Sequence, residues 1–199
     1  MANTNAPFGF RLLGLNGGAS SATFGMIERK IASNNSEAIY RNDPVMDLTT
    51  GYIQQWNNGQ AVSRLVGIFD GCKYYSTSQK KVIWSPYWPG SDATGDVLAN
   101  IIPCIASPVP RFVVQAAATE ITFADIGANV DVTVGSGSTL TGISGATIES
   151  GTLNTTATLP FRIEDLWSNV AAPGSPGTTA GAYNWVIVSA NVTQVTGLA

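Results

Sequence analysis

Residues 111–166, RFVVQAAATEITFADIGANVDVTVGSGSTLTGISGATIESGTLNTTATLPFRIEDL, carry the pattern that decides the fold class. Val130, Val132 and Val134 recur at every second position, and so do Leu159, Phe161 and Ile163. Successive side chains of a strand point to opposite faces, so this period reads as strands with one buried face. Between the two runs lies GSGSTLTGISGA, residues 135–146, without a single charge. It reads as an ordered loop, followed by a short strand at TIES. Thr119–Asp125 reads as a polar turn or a single helical turn. The whole stretch predicts a β-scaffold that displays loops.

The same grammar extends to both sides. Upstream, TFGMIERKIA, YIQQW, RLVGIFDG and KYY are strand-like and are separated by Asn, Gly and Asp-Pro breakers such as Asn57-Asn58-Gly59 and Asp43-Pro44. Pro103, Pro108 and Pro110 interrupt the apolar run before Arg111; proline cannot donate to a sheet ladder, so strands there are short, bent or at an edge. Downstream, AAPGSPGTTAGA (171–182) reads as an exposed mobile loop and YNWVIVSANVTQV as a closing strand. The prediction is a mainly β fold, a barrel or sandwich of short antiparallel strands with long loops. Residues 1–22 form an extended N-terminal arm, and 23–199 a β-rich domain with room for a division into two subdomains near 107–120. The arm is rich in Gly and Asn but carries Phe8, Phe10, Leu12 and Leu13, which leaves two readings, a flexible terminus or an arm docked through those side chains.

Charge is scarce, at 12% of 199 residues, so the surface is covered largely by uncharged polar residues. Residues 1–111 hold nine Lys/Arg against seven Asp/Glu, whereas 112–199 hold Arg162 against six acids. The longest basic run is Lys80-Lys81, too little to neutralise a phosphate backbone, so no nucleic-acid partner is expected. No apolar run reaches the ~18 residues of a membrane span, and the N-terminus lacks the pattern of a secretory signal, so no membrane partner is expected either. Cys72 and Cys104 stand far apart without a CxxC pattern; buried free thiols are the expectation, a disulfide the alternative.

The chain has no histidine, which excludes Ser-His-Asp, Cys-His and HExxH chemistry. No Gly-Lys pair exists for a phosphate-binding P-loop. Carboxylate pairs remain at Asp43 with Asp47, Asp125 with Asp131, and Glu164 with Asp165, but acids in this number pair by chance, and Asp125 and Asp131 lack calcium-loop spacing. The expectation is a protein that is not an enzyme and holds no cofactor or metal. One cluster stands out. Five of the eleven Trp and Tyr residues fall in YYSTSQKKVIWSPYWPG: Tyr74, Tyr75, Trp84, Tyr87 and Trp88. They read either as contact makers at an interface or as rings filling a core.

The order of features resembles a family. MANTNAPFGFRLL, AIYRNDPVMDLTTG, RLVGIFDG, FADIGANVDVTVGSGSTLTGISGATIES, TATLPFRIEDL and YNWVIVSANVTQ together are similar to the head decoration, or cement, proteins of tailed bacteriophages. The likeness rests on the N-APFG start, the turn Asn42-Asp43-Pro44-Val45 and the Gly-rich loop, and it departs at 74–90 and 171–182. It implies a homotrimeric structural protein of the virion that clamps the outer capsid surface between capsomers, with the major capsid protein as partner. Candidate contact residues are Phe8, Phe10, Leu12 and Leu13 of the arm and Tyr74, Tyr75, Trp84, Tyr87 and Trp88 of the aromatic segment. The alternative is another virion surface component, such as a tail or fibre part or a carbohydrate-binding adhesin module that uses the same aromatics.

Overall fold

A computed structural model describes residues 3–15, 25–57, 59–105, 109–167 and 181–191. The chain runs β1 (Arg11–Leu15), β2 (Ile27–Ile31), β3 (Pro44–Asp47), β4 (Ile53–Gln55), β5 (Leu65–Ser76), β6 (Lys81–Ser85), β7 (Val97–Pro103), β8 (Pro110–Gln115), β9 (Asn129–Thr133), β10 (Thr147–Asn154), β11 (Phe161–Leu166) and β12 (Trp185–Ala190). Short 3-10 turns stand at Val62–Arg64 and Phe123–Asp125. The second of these settles the choice left open at 119–125 in favour of one helical turn.

These strands form two antiparallel six-stranded sheets. The N-terminal sheet has the order β2-β7-β5-β3-β4, with β6 paired to β5; the C-terminal sheet has the order β1-β8-β12-β11-β9-β10. The fold is sandwich-like, and neither sheet closes into a barrel. Both curl strongly. β10 comes round to β8 through a single bridge, Ala116 to Ile148, and β2 approaches β4 without pairing to it.

Two apolar clusters follow from the alternation. Phe112, Val114, Val130, Val132, Ile148, Phe161, Ile163, Val186 and Val188 point inward from the C-terminal sheet and meet Met46, Leu65, Ile68 and Ile102 of the N-terminal sheet. The N-terminal sheet then encloses a second cluster on its other face, with Ile31, Val45, Ile53, Phe69, Cys72, Val97, Ala99 and Ile101. Cys72 lies in the second cluster and Cys104 in the first, and both are free thiols. Burial pushes the Cys72 thiol up to about 12 and raises that of Cys104 as well. Prolines mark strand ends: β7 stops at Pro103 and β8 starts at Pro110. Residues 168–180, most of the loop expected at 171–182, lie outside the described residues.

Of the two readings left open for the N-terminal arm, the structure shows the docked one for residues 3–15. Residues 11–15 are a strand, paired edgewise to β8 from Arg11 opposite Val113 to Leu15 opposite Pro110. Phe10 is fully buried, stacked on Phe161 at 4.4 Å and edge-on to Phe112 at 6.4 Å. Its burial comes from alternation: Phe10 and Leu12 face the shared core, whereas Leu13 stays exposed. Ahead of the strand, Gln115 accepts from Ala6 N at 3.0 Å and donates to the carbonyl of Thr4 at 2.9 Å, fixing residues 4–6 across the outside of the C-terminal sheet.

Candidate functional site

Two features concentrate interactions, an internal junction between the sheets and an external apolar face. The junction is the segment Tyr40–Asp43. Asn42 adopts φ 74, a left-handed conformation that Asn tolerates better than most residues. Its carbonyl accepts from Phe10 N at 2.9 Å, its N–H donates to Phe69 O at 2.8 Å, and its amide donates to Phe8 O at 3.0 Å. Gly9 sits against it at φ 70, where a Cβ would stand 2.5 Å from Asn42 O, so only glycine fits. The loop 135–146 crosses over to the same segment: Arg41 N donates to Gly142 O and Ser144 N to Arg41 O, each at 2.9 Å. Gly137 lies directly against the ring of Tyr40, which stacks on Tyr87 at 5.5 Å. The Gly/Ser/Thr loop is thus a strap joining the sheets, and Gly137, where a Cβ would run into the Tyr40 ring, is one of the positions that let it lie so close.

Asp43 sits at the centre of this junction, fully buried. One oxygen accepts from Tyr40 N and from Gln55 Nε2, both at 2.7 Å; the other accepts from the hydroxyl of Ser144. Burial penalises its charge more than these three donors stabilise it, so its pKa rises from 3.8 to about 6. Arg41 reaches back to Asp70 at 2.8 Å near the surface. The remaining carboxylates named above serve local structure. Asp47 faces Arg29 at 3.8 Å; Asp125 caps its own 3-10 turn through Thr122; Asp131 accepts from Val132 N at 2.8 Å; Glu164 accepts from Ser189; Asp165 accepts from Leu166 N. Among the described residues no group of three or more His, Cys, Asp or Glu comes together.

The external face is an overhang of the core. Ile68 opposite Ile102 packs against the C-terminal sheet; beyond a bulge at Phe69–Gly71 the same face continues as Gly71 opposite Asn100 and Lys73 opposite Leu98. β6 extends it, with Trp84 opposite Lys73 and Val82 opposite Tyr75. Residues opposite one another share a face, and here none of the described residues covers them. Trp84 is 55% exposed, Val82 56%, Tyr75 46% and Leu98 39%. The Trp84 indole lies over Gly71, where a Cβ would come within 2.7 Å of the ring. The hairpin tip is held by Asp92, which accepts from Ser76 Oγ at 2.5 Å, Thr77 Oγ1 at 2.7 Å and Ser78 N at 2.8 Å. Those donors hold its carboxyl well below the usual range.

The nine candidate contact residues therefore separate. Phe10, Tyr74 and Trp88 are corrected from surface to core: Phe10 for the reason given, Tyr74 and Trp88 because they point into the second cluster and meet edge-on at 5.3 Å. Trp88 Nε1 also donates to Asn35 O at 3.3 Å. Tyr87 is half-buried on Tyr40, Phe8 is half-buried and edge-on to Trp185 at 5.0 Å, and Leu12 packs against the core. Tyr75 and Trp84 alone of the aromatic segment face outward on an open sheet face; Leu13 is exposed separately, at 38%, on β1. Val82 and Leu98 complete the outward face. Val82 was legible two residues before Trp84, whereas Leu98 joins only through pairing of β5 with β7.

Two clefts flank β1. One, of about 550 Å³, lies between the sheets and is lined by Leu12, Met26, Asp70 and Ile143 among others. The other, of about 540 Å³, is lined by Phe8, Arg11, Leu13, Trp167 and Trp185. Comparison with known proteins returned no matching family model, no matching curated protein and no matching solved structure.

Proposed function

We propose that this chain is a structural virion protein, a capsid decoration protein that docks on the outer surface of the assembled head and stabilises contacts between capsomers. The observation that carries the reading is the exposed face of the β5–β6 hairpin, Tyr75, Val82 and Trp84, with Leu98 of β7 beyond Lys73, on a hairpin whose tip is pinned by Asp92. Rigid aromatic side chains on a fixed scaffold are the kind that anchor protein interfaces. The strapped junction at Tyr40–Asp43 supports a passive, load-sharing role, because it ties the arm, both sheets and the long loop into one body. Binding to the assembled lattice alone would stabilise that lattice by mass action. The partner in this reading is the major capsid protein, and the protein acts as a homotrimer on the outside of the virion.

The test is co-sedimentation of the purified protein with undecorated phage heads and with unassembled capsid subunits. Saturable binding to heads alone, with heads made more resistant to heat, supports the proposal; absence of binding to heads overturns it. Light scattering of the free protein reports the trimer. The outward indole of Trp84, seated on Gly71, favours one second reading, a sugar-stacking platform of a surface adhesin. Glycan-array binding that disappears in Trp84→Ala, with no affinity for heads, would select it.

A further inference from the structure

We infer that β6 is a self-pairing edge: two copies of this chain join antiparallel along Lys81–Ser85, about a twofold axis at Ile83, into one sheet that runs through both. The inference goes beyond the docking role proposed above and does not depend on it. A sheet ends in a row of N–H and C=O groups that a further strand can satisfy. Most edges of this fold are closed or broken. β4 has three residues and is approached by β2, β10 meets the continuation of β8 at Ala116, and β1 carries a bulge between Leu12 and Gly14. On β6 all five residues pair with β5 without a shift, from Ser85 opposite Cys72 to Lys81 opposite Ser76. Among the described residues no backbone hydrogen bond reaches its other side. Neither proline nor bulge interrupts it, and its hairpin is pinned by Asp92.

The sequence of the strand selects the occupant. Laid antiparallel on itself with Ile83 opposite Ile83, the segment Lys81-Val82-Ile83-Trp84-Ser85 sets Val82 against Trp84 and Lys81 against Ser85. An aromatic opposite a β-branched residue is a favourable cross-strand pair, and no charge here meets a like charge. The axis carries either set of alternate backbone groups onto itself, so each outward N–H meets an outward C=O. The faces fix the register. A slip of one residue turns the second copy over and sets Val82 beside Ile83, a side chain packed into the second cluster. With Ile83 on the axis, each of two rows runs across four strands as Tyr75, Val82, then Trp84 and Lys73 of the other copy. The seam lies in the plane of the sheet, so Val82 and Trp84 keep their outward face and the two exposed faces become one.

The probe is Ile83→Cys, because residue 83 alone meets itself across the axis. With copper-phenanthroline as oxidant it is expected to form a disulfide-linked pair at about ten times the yield of Lys81→Cys, whose two thiols would stand at opposite ends of the seam. Wild type is the control, since Cys72 and Cys104 are buried. In sedimentation velocity from about 5 to 500 µM the wild-type mass is expected to double, with a Kd on the order of 100 µM, as suits a contact of one short strand. Val82→Asp/Trp84→Asp sets carboxylates of both copies about the axis at exposed positions. It is expected to weaken pairing by about tenfold or more with an unchanged melting temperature. Equal yields from Ile83→Cys and Lys81→Cys, a wild-type mass that stays at one or three chains throughout, or doubling indifferent to the aspartates would each overturn the inference. The homotrimer proposed above is a separate contact. Doubling of a trimer keeps both, doubling of a monomer ends the trimer alone, and a trimer that never doubles ends this inference alone.

Discussion

Replacing Asp43 by Asn alters how stability depends on pH, and the direction follows from the site. Asp43 is fully buried, and its folded pKa is raised from 3.8 to about 6 because burial outweighs its donors. Between those values the folded chain holds a proton that the unfolded chain has released. Stability from this group is therefore fully present below about 4 and is lost as pH rises through about 6. Lowering the pH from about 7 to about 4.5 should stabilise the wild type by about 2 kcal/mol through Asp43 alone. Asn has no such dependence. Its carbonyl can still accept from Tyr40 N and Gln55, while its amide faces the Ser144 hydroxyl, which already accepts from Ala146 N at 2.9 Å. That leaves one altered hydrogen bond, a cost of about 1 kcal/mol at acidic pH. Urea unfolding of both proteins at several pH values measures the difference between the two curves, in which other carboxylates cancel. Asp92, whose pKa is lowered, loses its contribution only at still lower pH and does not intrude. Parallel curves for wild type and Asp43→Asn, or a gap that widens in the opposite sense, would refute the account of a carboxylate charged against its surroundings.

Other outcomes follow from packing. Phe10→Ala should cost about 3–5 kcal/mol in urea unfolding, since it empties a site shared with Phe112 and Phe161, whereas Leu13→Ala, on the same arm but exposed, should cost under about 0.5 kcal/mol. Gly9→Ala should lower the melting temperature by several degrees, because φ 70 and the carbonyl of Asn42 both reject a side chain. Cys72 and Cys104 should be unreactive to a thiol reagent in the native state and both should react in denaturant; rapid labelling of the folded protein would contradict their burial.

The fold class was legible because alternation at Val130–Val134 and Phe161–Ile163 is a direct image of one buried face. The arm was half legible. Phe8, Phe10 and Leu12 already carry the period of a strand, but an edge strand whose partner lies a hundred residues away leaves no local mark of pairing. The loop 135–146 read as an ordered loop, and residues 138–141 are exposed; its contacts with Tyr40 and Arg41 were not legible, because glycines that look like solvent-facing loop equally permit close approach of backbones. Asp43 read as half of a turn with Pro44, since its three donors come from residues 40, 55 and 144. The aromatic segment declared a cluster but not its division; the register of β5 with β6 sent Tyr74 inward and Tyr75 and Trp84 outward.

The seating of Phe10 between Phe112 and Phe161 also sets an order of events during synthesis. Residue 10 leaves the ribosome long before its stacking partner at position 161 exists. At ordinary elongation rates that interval is on the order of 10–30 s, during which Phe10 lacks its stacking partner. β2 to β7 can assemble around the second cluster meanwhile, because those contacts lie within residues 27–103. β1 is thus made before β11 but is placed only with it, and the segment around Phe10 is the one a chaperone or a neighbouring chain would meet exposed.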